Sequence, residues 1–241
     1  MADLTRQRRI ALLDEFRGLC IICMVFYHAF YLTGTLLHLD ICARLFRFFE
    51  PLEIVFASAF IFISGICTQF SRSVLRRGLL LLAIALAISA VTILVLPKIG
   101  YDTFQDRFGI LHLLSVSMLL YAALRKALDH VPVLWGACSC ILLYVAAAVF
   151  VPRVHVAAPY LFPLGFRSDS FYSADYFPLL PHRFVFLLGT FCGRAIRTRE
   201  IPDRFYRVHV HLYAWCGRHT LPIYLLHIPI LLCMIQIIER I

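Results

Sequence analysis

The sequence predicts an all-α protein, a polytopic membrane helix bundle of about seven transmembrane helices with its N-terminus on the cytoplasmic side. Three observations predict it. Hydrophobic residues make up 61% of the 241-residue chain against 15% charged, and the mean hydropathy is +0.83; water cannot solvate such a surface in a soluble domain. Apolar runs follow one another with charged residues between them, each near the roughly 20 residues that cross a hydrocarbon core of about 30 Å. Lys and Arg gather in alternate connections, as retention of positive loops in the cytoplasm requires.

In chain order the runs cover 18 to 37, 51 to 70, 78 to 97, 108 to 124, 132 to 151, 182 to 196 and 219 to 238. The first is full length with no small-residue cleavage site behind it, so it is expected to stay as a helix rather than be removed as a signal peptide. The sixth is the shortest. Its core, Phe184 to Cys192, lies between Arg183 and Arg194, which suits a tilted, re-entrant or shielded segment. The whole chain, 1 to 241, reads as one integral membrane domain. Between the fifth and sixth runs, segment 152 to 181 carries Pro152, Pro159, Pro163, Pro178 and Pro181 among many aromatics. It is expected to form an ordered external cap, a candidate lid on the acceptor side.

With the N-terminus inside, the cytoplasmic segments hold Arg6, Arg8, Arg9, Arg17, Arg72, Arg76, Arg77, Arg125, Lys126, Arg194, Arg197, Arg199, Arg204, Arg207 and Arg218, 15 of the 23 basic residues. The opposite orientation would put the Arg-rich stretch 194 to 218 outside. Such a face follows from topology and from attraction to anionic membrane lipid, and it also suits a phosphate-bearing cytosolic donor. No soluble domain is left to read a nucleic acid groove, so no nucleic acid partner is expected. The nine cysteines are scattered through apolar runs and read as small hydrophobes, with neither a metal site nor a disulfide expected.

Ionisable groups inside spans carry the functional information, because hydrocarbon makes them costly unless they face a bundle interior or a cavity. His28 lies mid-span in the first helix, His227 mid-span in the last, and His112 one turn into the fourth. The eleven-residue step from Arg17 to His28 returns to within about 20° of one helix face, with Arg17 about 16 Å below His28. Asp14 falls within about 40° of the same face. His227 stands about 12 Å above His219, so the two histidines reach similar depth. Thr220 and Tyr224 share the face of His227, and Pro222 and Pro229 bend that helix. A polar cavity reached from a basic cytoplasmic face is thus expected, serving an enzyme, a small transporter or flippase without covalent chemistry, or a non-catalytic assembly protein.

The stretch "LLDEFRGLCIICMVFYH" resembles the opening helix of the membrane acyltransferase superfamily, in which an Arg, ten residues and a His stand where Arg17 and His28 stand here. Further on, "FIFISGICTQFSR", "RFGILHLLSVSMLLY", "DYFPLLPHRFVFLLGTFCGR" and "GRHTLPIYLLHIPIL" resemble, in order, signature stretches of the bacterial branch of the heparan-alpha-glucosaminide N-acetyltransferase catalytic-domain family. The resemblance implies transfer of an acetyl or other acyl group from cytosolic acyl-CoA, acetyl-CoA above all, to a sugar or glycan acceptor outside a bacterial inner membrane. A homo-oligomer is left open.

Carried over residue by residue, the catalytic candidates are His28, His38, His227 and His112, with Arg17 and Asp14 at the donor and Asp175 and Tyr176 at the acceptor. A neutral imidazole at the thioester would serve as general base or accept the acyl group, Arg17 would hold phosphate, and Asp14 would orient or neutralise Arg17. Ser64 and Gly65 match a further motif, Gly65 as a site of close helix approach. The chain also departs from the pattern. Ala29 to Leu32 follow His28 where many bacterial relatives carry an Asp, His182 replaces an aromatic, and Ile228 interrupts a common "HQP". In the lysosomal branch the key histidine lies nearer the external end of the first helix, closest here to His38.

Overall fold

A computed structural model describes residues 9–101, 104–154, 158–168, 171–199 and 201–238. Arg6 and Arg8, counted above with the basic residues, lie outside them. Among the described residues the chain forms α-helices joined by short 3-10 turns and irregular segments, with a single isolated bridge between Phe108 and Tyr176 and no strand. The helices are α1 (Ala11–Leu36), α2 (Asp40–Thr68), α3 (Val74–Leu94), α4 (Ile110–His130), α5 (Val133–Phe150), α6 (Leu179–Arg197), α7 (His211–Arg218) and α8 (Thr220–Ile238). This is the all-α bundle that the apolar runs predict.

Six of these helices, α1 to α5 and α8, are long and apolar enough to cross a membrane. The sixth predicted run also forms a helix, α6, but that helix is not among the six. Two boundaries move outward from the predicted runs for a physical reason. α1 begins at Ala11 and α2 at Asp40 because a helix continues through the charged interfacial residues that end an apolar run. Pro51 then sits inside α2. α7 carries too mixed a sequence for a hydropathy scan to detect, and only eight residues.

Burial is inverted relative to a soluble protein. Leu134, Trp135 and Leu142 of α5 are exposed, whereas Ser115, Ser117, His112, Thr190 and Thr220 are buried. Lipid tails solvate large apolar side chains, so helices gain most by turning small and polar residues toward one another.

The chain divides into two compact units. One comprises residues up to Ile63 together with Glu200–Ile241; the other is Ser64–Arg199. In the first, α1 packs against α7, α8 and the opening part of α2. Gly18 makes the α1–α7 crossing close: a Cβ there would overlap the Tyr213 carbonyl, and a Cβ on Gly217 would overlap the carbonyl of Asp14. Tyr27 and Tyr31 of α1 lie against Phe46 of α2 with ring centres 5.1 and 5.2 Å apart.

In the second unit α3 packs on α4 and α5 on α6. Gly65 admits the Phe186 carbonyl where a side chain would collide, the close approach expected of it. Gln69 Nε2 donates to the Tyr121 hydroxyl at 2.6 Å. The Arg194 guanidinium donates to the carbonyls of Leu128 at 3.0 Å, Asp129 at 3.2 Å and Val131. One side chain of α6 thereby satisfies carbonyls that the C-terminus of α4 leaves open.

Candidate active site

The first unit brings together the two mid-span histidines. His28 on α1 and His227 on α8 lie edge to face with ring centres 5.0 Å apart. His28 Nδ1 lies 3.0 Å from the Met24 carbonyl, and His227 Nδ1 lies 2.6 Å from that of Tyr224. A carbonyl only accepts, so each Nδ1 carries a proton, and in the neutral ring each Nε2 carries the lone pair. His227 Nε2 is sealed from solvent with no hydrogen-bond partner. A lone pair so placed can take a proton or attack a carbonyl carbon.

Arg17 lies toward the other end of both helices. Its Nη2 donates to Thr220 Oγ1 at 2.7 Å, and its guanidinium carbon is 6.0 Å from the centre of the Phe60 ring. From Arg17 to His28 the rise is about 16 Å, and from Thr220 to His227 about 10 Å. The long Arg side chain makes up the difference, so α1 and α8 run in the same direction. Arg17 Nε is buried without a partner.

Asp14 does not serve Arg17 first. It receives a two-point bond from Arg9, Nε to Oδ2 at 2.5 Å and Nη2 to Oδ1 at 2.9 Å, while Arg17 Nη1 stands 3.9 Å away. Bidentate geometry is the stronger pairing, so most of the Asp14 charge is answered by Arg9. Glu15, buried beside it, accepts the backbone N–H groups of His209 at 2.5 Å and Val210 at 3.3 Å. It thereby satisfies donors at the start of α7. His38 is exposed in the turn between α1 and α2, with φ of 51°, and the ring pair forms without it.

In the second unit His112 is committed to its surroundings. Its Nδ1 accepts from the Gly109 N–H at 3.2 Å, so the proton of the neutral ring sits on Nε2, 3.2 Å from Ser89 Oγ. The Ser89 hydroxyl in turn donates to the Asp106 carbonyl at 2.7 Å. Asp175 Oδ2 accepts the Ile110 N–H at 3.3 Å, and the Tyr176 hydroxyl donates to the Phe162 carbonyl at 2.7 Å. Burial pushes the Tyr176 phenol up to about 12, against the opposing pull of Arg167. Burial first and the Asp175 charge second raise the Asp106 carboxyl well above its ordinary range.

A family model described as heparan-alpha-glucosaminide N-acetyltransferase, catalytic, matches residues 9–229. The chain belongs to this family. Among curated proteins and among solved structures nothing matches it. Heparan-alpha-glucosaminide N-acetyltransferase catalytic domains form an acetyltransferase family, and the six apolar helices make this member an integral membrane protein.

The first and last family stretches fall on the helices that carry the ring pair. The first forms α1 through His28, and the last joins α7 to α8 and carries both Thr220 and His227. His182 packs as the aromatic it replaces, its ring centre 5.4 Å from that of Phe177.

Several residues escape a sequence reading. Glu15 and Arg9 show only as boundary charges, and Asp106 as a loop carboxylate. Glu53 had a signal, a carboxylate just inside the second apolar run. In the structure it bonds the Tyr27 hydroxyl, next in sequence to His28.

Proposed function

We propose that the protein moves an acetyl group from acetyl-CoA, bound from the cytoplasm, to a hydroxyl or amine of a sugar or glycan on the other side of a bacterial inner membrane. The observation that carries this reading is the His28–His227 ring pair, set on the same two helices as the Arg17–Thr220 pair. Among the described residues Arg17 keeps an unanswered N–H and pairs with a carboxylate only at 3.9 Å, which leaves its charge for a phosphate of CoA. Along α1 the rise of about 16 Å from that phosphate site to the imidazoles is a distance a pantetheine arm can span.

At the ring pair the thioester carbonyl lies beside His28. A neutral imidazole Nε2, that of His227 being the open one, takes the proton of the acceptor as its oxygen or nitrogen attacks the acetyl carbon. The carbon–sulfur bond breaks, and the departing CoA thiolate recovers the proton from the imidazolium. On this reading Asp175, Tyr176 and His112 are the residues that contact the acceptor.

The deciding experiment uses sealed, oriented vesicles with acetyl-CoA supplied only on the cytoplasmic side and a candidate sugar only outside. Acetylated sugar outside and free CoA inside are expected. Sugar that crosses unmodified while acetyl-CoA stays intact would replace this reading with transport.

A further inference from the structure

Asp106 poses a problem that the acyl-transfer reading leaves unsolved. The residue is only 8% exposed, and its Oδ1 is buried with no hydrogen-bond partner. An ionised carboxylate in that position would lose its hydration with only the Gly109 N–H, shared with His112 Nδ1, in partial return, a cost no folded chain sustains lightly. A second carboxylate makes matters worse. A Cβ built on Gly109 would overlap the Asp175 carboxylate and meet Asp106 Oδ2 at 2.9 Å, so both acids crowd the bare Cα of that glycine from the two sides of one loop pair.

Among the described residues the neighbouring polar groups are largely engaged elsewhere. On α4, His112 accepts a proton-bearing N–H at Nδ1 and stays neutral in that arrangement. From α3, Ser89 and Thr92 are engaged with the backbone of Asp106: Ser89 donates to its carbonyl, and the Asp106 N–H donates to Thr92 Oγ1 at 3.1 Å. Arg107 donates to Gln105 Oε1, and Arg167 lies over the Tyr176 ring, 5.4 Å from its centre. The N–H groups that open α4 offer partial positive charge, one of them to Asp175 Oδ2, which steadies one anion. The Gly109 N–H favours the ionised form of Asp106 in the same way, and that pull is weaker than burial and the Asp175 charge.

We propose that Asp106 and Asp175 form a single-proton site, in which a protonated Asp106 Oδ2 donates to the Asp175 carboxylate, and that this proton holds segment 105–109 against segment 173–177. Protonation turns the orphaned Asp106 Oδ1 from half of a buried anion into a neutral carbonyl oxygen, which tolerates an apolar wall far better. It also converts a like-charge repulsion into a short charge-assisted hydrogen bond. Other bonds that join the segments among the described residues are Ala174 N–H to the Gln105 carbonyl at 2.7 Å, Phe177 N–H to the Phe108 carbonyl at 3.0 Å and Arg107 N–H to Ser173 Oγ at 3.0 Å. Losing the proton places two anions across those bonds. The segments then separate as the pH of the bathing compartment rises.

The test uses the whole protein in detergent or nanodiscs and no acyl donor, so its outcome is independent of acetyl transfer. Infrared spectra across a pH titration should show the stretch of a protonated carboxyl that persists at neutral pH and is lost in Asp106→Asn. The protection of the Ala174 and Phe177 amides, corrected for the base-catalysed rise of the intrinsic exchange rate with pH, should drop in the wild type as that band titrates away. In Asp106→Asn, whose amide still donates to Asp175 without a removable charge, the corrected protection should show no such step. Absence of the band at neutral pH would overturn the proposal. So would protection of Ala174 and Phe177 that follows Na+ or K+ concentration instead of pH.

Discussion

His28 and His227, near opposite ends of the chain, meet edge to face with ring centres 5.0 Å apart, and each spends its Nδ1 on a carbonyl of its own helix. The pairing leaves Nε2 as the reactive atom of the neutral ring. General acid–base groups contribute on the order of 100- to 10,000-fold to rate, so His28→Ala and His227→Ala should each lower CoA release by that order while acetyl-CoA still binds. Rates are compared at equal amounts of folded protein in membranes. Full activity in both variants would remove the ring pair from the chemistry.

Arg17 and Thr220 give a second prediction, on donor affinity. A hydrogen bond to a charged group contributes roughly 1.5–3 kcal/mol, so Arg17→Ala should weaken acetyl-CoA binding about tenfold or more. Thr220→Val, which only frees Nη2 from its anchor, should weaken it less. High salt should reproduce part of the Arg17→Ala loss in the wild type. Calorimetric titration with acetyl-CoA reads all three, and unchanged affinity in Arg17→Ala would leave that residue as a topological anchor alone.

The crossing of α1 and α7 is set by two glycines, and adding a methyl group at either meets backbone rather than a yielding side chain. Overpacking typically costs about 1–3 kcal/mol. Gly18→Ala and Gly217→Ala should therefore lower the thermal unfolding midpoint, while Gly100→Ser, at a glycine with open space around it but φ of 88°, tests backbone strain instead. A midpoint unchanged in both α1–α7 variants would mean that the helices part at no cost.

Stability should also depend on pH through Asp106. Burial and the Asp175 charge raise its carboxyl, so above the ordinary carboxyl range the folded chain keeps a proton that the unfolded chain has released. The associated stabilisation is complete below the unfolded value and is lost as pH rises through the raised folded value. The unfolding midpoint of the wild type should fall from mildly acidic toward mildly alkaline pH, and Asp106→Asn should flatten that slope. A slope of the opposite sign would mean that ionised, cation-bound carboxylates dominate.

Hydropathy and spacing by themselves determined the helical class, the order of the apolar runs and the Arg17–His28 stripe, because each depends only on composition or on the 3.6-residue period within one helix. They also put His28 and His227 at similar depth, since depth follows from rise along each helix. Which faces meet is a different matter. It depends on where a chain can approach another closely, and Gly18 and Gly217 decide that for α1 and α7 only once both helices are in place. The same holds for partners. Asp14 lies near Arg17 on one helix, yet the structure gives its two-point bond to Arg9, since a guanidinium that can lie flat against both oxygens outcompetes one that reaches a single oxygen from 3.9 Å. Asp106 is an unremarkable loop acid in sequence, and Asp175 stands out there only through the family resemblance. Only tertiary structure folds their two loops onto one glycine, and only there does a buried charge become a question that a proton can answer.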